Sequence, residues 1–141
     1  MFGITDKAGI NIKVPQRIIM EDVIDCVIEI TPFSKATLRK IEVELFCRET
    51  AISRGTSDRY YRKTIYSDLR TPRNQTEIRR GRYIEIREAF QLPPLTTPSF
   101  YCRNHMIEWF IRVRLDVPWW PDTRVQELIN ILPFIVVPDL E

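Results

Sequence analysis

The chain has 141 residues, a length suited to one domain over 1–141, and 44% of them are hydrophobic against 28% charged. At this size roughly two thirds of the unfolded surface can be buried, a balance neither disordered nor membrane-like. A net charge of +2 is too small to point to nucleic acid or to an acidic membrane face.

The start, Met1-Phe2-Gly3-Ile4-Thr5-Asp6-Lys7, has no basic patch followed by an apolar stretch, so no signal peptide is expected. No apolar run reaches the ~18 residues of a membrane span. The expected setting is a reducing cytoplasm, with no membrane insertion. Cys26, Cys47 and Cys102 are odd in number and form no CxxC pair, so neither a disulfide framework nor a zinc site is indicated. Asn74-Gln75-Thr76 matches a glycosylation acceptor and, without a secretion signal, is read as chance.

Four glycines against ten prolines leave little room for a long helix. Between the prolines lie short runs with apolar residues at every second position, the period of half-buried strands. Ile10, Ile12 and Val14 alternate with polar neighbours; Ile24, Cys26, Ile28 and Ile30 form the next face; Ile41, Val43, Leu45 and Cys47 follow. The polar segment 53–58 reads as a mobile hairpin tip. Residues 60–66 make a weaker strand rich in Tyr and Thr, and 69–81 form a second long polar stretch with Pro72, Asn74 and Gly81. In the run 83–92, Ile84, Ile86, Phe90 and Leu92 are in phase while Glu88 interrupts, the expected mark of a bulge. The clearest run is 105–117: Ile107, Trp109, Ile111, Val113, Leu115 and Val117 share one face, an arrangement a 3.6-residue period would scatter. Residues 127–137 give a last strand interrupted by Pro133. At least seven such runs predict an all-β fold, a two-sheet antiparallel, immunoglobulin-like sandwich.

Two segments together carry a resemblance. Phe90-Gln91-Leu92-Pro93 runs into a linker with Thr97-Pro98-Ser99-Phe100, and Ile107-Glu108-Trp109-Phe110-Ile111-Arg112-Val113-Arg114-Leu115-Asp116 follows. A strand ending in Leu-Pro, a Pro- and Ser-containing linker, then Ile-x-Trp-x-Ile-x-Val-x-Leu-Asp, resembles the arrestin-like domain family. That family includes arrestins, the retromer subunit of arrestin fold and bacterial sporulation-control proteins. The early Val23 strand and Leu38-Arg39-Lys40-Ile41-Glu42-Val43-Glu44-Leu45 look similar as well. The resemblance implies a non-catalytic scaffold, adaptor or regulator. Such relatives usually pair two lobes, and this sequence has length for about one.

Candidate chemistry is sparse. His105 is the sole histidine, with Cys102 three residues away, but no nucleophile motif accompanies them, so no catalytic residue is expected. No ligand set for a metal and no glycine-rich phosphate cradle is visible, so neither metal nor cofactor is expected. From residue 70 to 87, Arg70, Arg73, Arg79, Arg80, Arg82 and Arg87 stand against Glu77 and Glu85, a local charge of +4. One reading is a site for an anionic or phosphorylated partner, since arginine forks suit bidentate contacts. The other is a solvated loop balanced by Glu42, Glu44 and Glu49. Trp119 and Trp120, between Pro118 and Pro121, are candidates for an apolar partner contact, with one ring expected to pack over the sandwich end. Asp116 and Asp122 read as turn caps rather than paired acids.

The leading function is thus a protein-interaction module using sheet edges or end loops. The alternatives are a small-molecule carrier or enzyme with a pocket between the sheets, and nucleic-acid binding through the 70–87 stretch. Open edges present unpaired backbone groups, so a homodimer or an obligate partner is expected. Lys35, Lys40, Arg62 and Lys63 are candidate protective charges, and Tyr60, Tyr61 and Tyr66 candidate pairing positions.

Overall fold

The computed structural model describes residues 2–4, 8–20, 22–94, 96–118 and 123–133. Ten strands occur in them: β1 (Phe2–Ile4), β2 (Ala8–Lys13), β3 (Arg17–Ile19), β4 (Val23–Pro32), β5 (Ala36–Ser53), β6 (Arg59–Ile78), β7 (Ile84–Gln91), β8 (Phe100–Tyr101), β9 (His105–Asp116) and β10 (Thr123–Leu132). They form a four-stranded sheet ordered β1-β2-β4-β7 and a six-stranded sheet ordered β3-β10-β9-β5-β6, with β8 also bonded to β9. The all-β sandwich expected from alternation is what the chain builds. Among the described residues one pairing departs from the antiparallel rule: β3 runs parallel to β10, with Ile18 opposite Ile131.

Alternation explains the core directly, because successive strand residues point to opposite faces. In the four-stranded sheet, Ile10 pairs with Ile30 and Ile30 with Ile84, while Ile12 pairs with Ile28 and Ile28 with Ile86. The other sheet answers with Ile41–Leu115, Val43–Val113 and Leu45–Ile111. These β-branched and leucine ladders form one continuous buried core, with Ile84 partly buried against it, and cross-strand pairs of this kind are the unit of sheet stability. Trp109 sits in that core at 2% exposure. Its indole Nε1 donates to the Thr97 carbonyl at 2.8 Å, which holds the linker 97–99 against the sheet.

Two expectations are corrected. Residues 69–78 are strand, the second half of the 20-residue β6, and no loop occupies that stretch before the turn at Arg79–Arg82, where Gly81 takes a positive φ of 82°. Their polarity follows from position: β6 is the outer strand of its sheet, so it needs no apolar face to find its place. Pro72 is tolerated there because an outer strand leaves one side of its backbone unpaired. Glu88 marks no bulge either. β4 and β7 pair without interruption from Val23–Gln91 to Ile30–Ile84, and Glu88 keeps the inward phase because Arg70 of β6 meets its carboxylate. The irregularities lie instead between β5 and β6, at Ile41/Val43 and Cys47/Arg48.

The hairpin at 54–58 is fastened by Arg54, whose guanidinium donates to the Arg103 carbonyl at 2.8 Å and to Asn104 Oδ1 at 3.2 Å. Among the described residues no helix is long and apolar enough to cross a membrane. Trp109→Ala should cost about 3–5 kcal/mol by urea or guanidinium denaturation, as large core truncations do. A cost under about 1 kcal/mol would mean that the ring is not a core element.

Candidate functional site

The arginines of 70–87 divide: Arg73, Arg79 and Arg82 border one depression, while Arg70 and Arg87 lie outside it and pair with carboxylates. Arg70 turns across the open side of the sandwich toward β7. Its guanidinium meets Asp68 at 3.1 Å and Glu88 at 3.2 Å, donates to the Ala89 carbonyl, and lies 4.3 Å from the Phe90 ring centroid. It is a clasp between the two sheets. Arg79 pairs with Glu77 at 2.7 Å and Arg87 with Glu85 at 3.0 Å, each on its own strand or turn. Arg73 donates to the Pro72 carbonyl at 3.1 Å. Arg80 and Arg82 flank the tip at Gly81 and are exposed. What remains turned to solvent is a depression of mixed charge, bordered by Arg73, Arg79 and Arg82 together with Glu77 and Glu85.

The glutamates expected to balance this stretch serve other cations. Glu42, 5% exposed, is held by Lys40 at 2.8 Å and by Arg114. Glu44 faces Arg112 at 3.5 Å and Glu49 faces His105 at 3.6 Å. Burial pushes the Glu42 carboxyl up, but the hydrogen bonds and charges of Lys40 and Arg114 outweigh it and hold the group below the usual carboxylate range. On the same outer face Phe46 and Phe110 stack at 5.1 Å, with Arg112 4.3 Å above one ring and Arg48 4.8 Å above the other. Neither ring stood out in the sequence, since both occupy the polar phase of their strands.

His105 opens β9 beside Phe100, with ring centroids 5.7 Å apart. Cys102 is exposed, and its backbone N–H donates to the His105 carbonyl at 2.8 Å. Burial pushes the Cys26 and Cys47 thiols up to about 12, with nearby carboxylates adding to it, so both are unreactive core groups. Among the described residues no three His, Cys, Asp or Glu side chains gather as metal ligands would. Asp116 faces Arg39 at 3.3 Å. Trp119, Trp120 and Asp122 lie outside the described residues.

The candidate edge positions separate cleanly. Tyr60, Tyr61, Arg62 and Lys63 are exposed on β6, whereas Tyr66 turns inward against Trp109 at 5.6 Å. Lys40 is on β5 with Glu42, and Lys35 precedes β5 within 3.7 Å of Glu77. Arg59, Ile65 and Leu69 share the exposed edge and escaped notice because no apolar period frames them.

The sequence profile described as arrestin (or S-antigen), C-terminal domain, matches residues 5–138. The chain belongs to this family. The likeness extends to the crystal structure of Spo0M, sporulation control protein, from Bacillus subtilis, with a TM-score of 0.69 and 16% identity over 90% of this chain and 50% of that one. At that identity the likeness speaks for the fold, and the chain spans about half the length of that protein. No curated protein matches the sequence significantly. Arrestin folds are generally non-enzymatic and commonly mediate protein interactions.

Two outcomes follow from the ion pairs. Arg70→Ala should destabilise the fold by about 1–2 kcal/mol, discounted for its partial exposure, while Arg80→Ala and Arg82→Ala stay within about 0.5 kcal/mol; equal effects at all three positions would remove the clasp. Because the folded Glu42 carboxyl lies below its unfolded value, its contribution is complete at neutral pH. That contribution is lost as pH falls below about 5 and on through the folded value. Glu42→Gln should therefore flatten the acid side of the stability–pH curve, and an unchanged slope would contradict this role.

Proposed function

We propose that this arrestin-family chain is a single-domain, non-catalytic interaction module, a scaffold, adaptor or regulator working in the cytoplasm, that docks a protein partner through the outer edge of β6. The observation that carries this is the 20-residue edge strand, whose first seven residues are all exposed and which presents Tyr60, Tyr61, Ile65 and Leu69 to solvent. Unpaired backbone groups beside exposed aromatic and aliphatic side chains are what strand-adding partners use.

A small-molecule site between the sheets is supported less well. The depression bordered by Cys47, Tyr66, Pro93, Thr97 and Trp109 holds about 160 Å³, below the ~300 Å³ at which drug-sized sites begin, and the larger one of about 430 Å³ along β4 and β7 has its inward Glu88 already paired with Arg70. Nucleic-acid binding through residues 70–87 is weakened by the pairing of Arg70, Arg79 and Arg87 with carboxylates.

Affinity capture on immobilised chain from native lysate, read by mass spectrometry and repeated with purified components, tests the proposal. A protein that rebinds in purified form at micromolar concentration is expected. Recovery of only nucleic acid with a steep salt dependence would overturn it.

A further inference from the structure

The outer edge of β6 is two surfaces in one strand. From Ile65 onward it is repeatedly broken. Ile65 is skipped in the register between Tyr66 and Thr64, Thr71 and Pro72 stand against the single Glu42, and Gln75 takes a positive φ of 46°. Bulges and proline are the devices that keep an edge from pairing. Residues 59–64 precede all of them and pair without a break, from Arg59 opposite Ser53 to Thr64 opposite Arg48. All six are exposed.

This short edge is held in place from behind. Its partner β5 is bonded in turn to β9, with Thr50 opposite Met106 and Ala51 opposite His105. The hairpin that follows β5 is tied down by Arg54. A pre-positioned strand lowers the ordering cost of adding another.

Its charge chooses the occupant. Arg59, Arg62 and Lys63 lie in six residues without a carboxylate, and among the described residues none of the three makes an ion pair. Glu49, opposite Lys63 in register, faces His105 instead. Alternation puts Arg59, Tyr61 and Lys63 on one face and Tyr60, Arg62 and Thr64 on the other, with Arg62 5.4 Å from the Tyr60 ring centroid. A second copy pairing antiparallel about Tyr61 would set Arg59 against Lys63 on both sides of the centre, and like charges across strands destabilise. Carboxylates across the pair would stabilise.

We propose that residues 59–64 of β6 take up an extended acidic segment of a partner protein as a further strand of the six-stranded sheet. This rests on the protein-binding role above and names the place and the partner's chemistry. The incoming backbone supplies the affinity. Arg59, Arg62 and Lys63 select carboxylates, and Tyr60 and Tyr61 cover the apolar residues between them.

The test uses fluorescence anisotropy with the full chain and a labelled peptide of alternating glutamate and valine. Controls are the same peptide with lysine for glutamate, and the acidic peptide N-methylated at alternate residues. Only the unmodified acidic peptide should bind, and the exposed triple variant Arg59→Glu, Arg62→Glu, Lys63→Glu, with circular dichroism confirming its fold, should weaken binding at least ~tenfold. Equal binding of the N-methylated peptide would show charge attraction without strand addition and overturn the proposal. So would an absence of binding at millimolar peptide, or a dimer in light scattering that the triple variant abolishes, which would assign the edge to a second copy. A purified partner that binds wild type and triple variant alike would leave the interaction role standing and remove it from this edge.

Discussion

The structure depends on the phase of β9. This strand is bonded to β5 along its whole length, from Ala51–His105 to Lys40–Asp116, and to β10 and β8 on its other side. Its inward residues Ile107, Trp109, Ile111, Val113 and Leu115 are all buried. A slip of one residue would turn Trp109 out and drive Arg112 and Arg114 into the core. Fixing that phase fixes β5 as well, and Glu42 and Glu44 then come to stand outward opposite Arg114 and Arg112. The outer ladder of arginine, glutamate and stacked phenylalanine is thus a consequence of how the core is packed.

The sandwich also has to manage its edges. β1 and β3 are three residues each, too short to template much pairing. β7 is met by Arg70, which occupies the Ala89 carbonyl and pairs with Glu88. The second half of β6 is bulged and carries Pro72. After these devices, the first turn-proximal segment of β6 is the edge that stays regular, and it is basic. Structural economy elsewhere concentrates the available backbone groups in one place.

Much of this was legible in the sequence. The alternation of Ile24 to Ile30, of Ile41 to Cys47 and of Ile107 to Val117 gave strands with the right inward face, and the Leu92-Pro93 and Ile107 to Asp116 motifs pointed to the arrestin family that the profile match bears out. The length of β6 was not legible, because its inward positions include Tyr66, Asp68, Arg70 and Pro72, so even its half-buried face carries no hydrophobic period. Arg70 could not be told from Arg80 for a related reason: its partners Glu88 and Ala89 are 18 and 19 residues away and reach it through the fold alone. Glu88 misled in the same way, since a carboxylate in an inward phase reads as a break until its cation is seen. The parallel addition of β3 to β10, across more than a hundred residues of chain, has no local signal.

Hydrogen–deuterium exchange of the free chain and of the chain saturated with the glutamate–valine peptide tests the central claim most directly, because it reads the backbone amides that a new strand would bond. The account predicts slowed exchange confined to alternate amides of residues 59–64, with β7 unchanged. Unchanged exchange at 59–64, or protection centred on β7 or on the tip at residues 79–82, would contradict it.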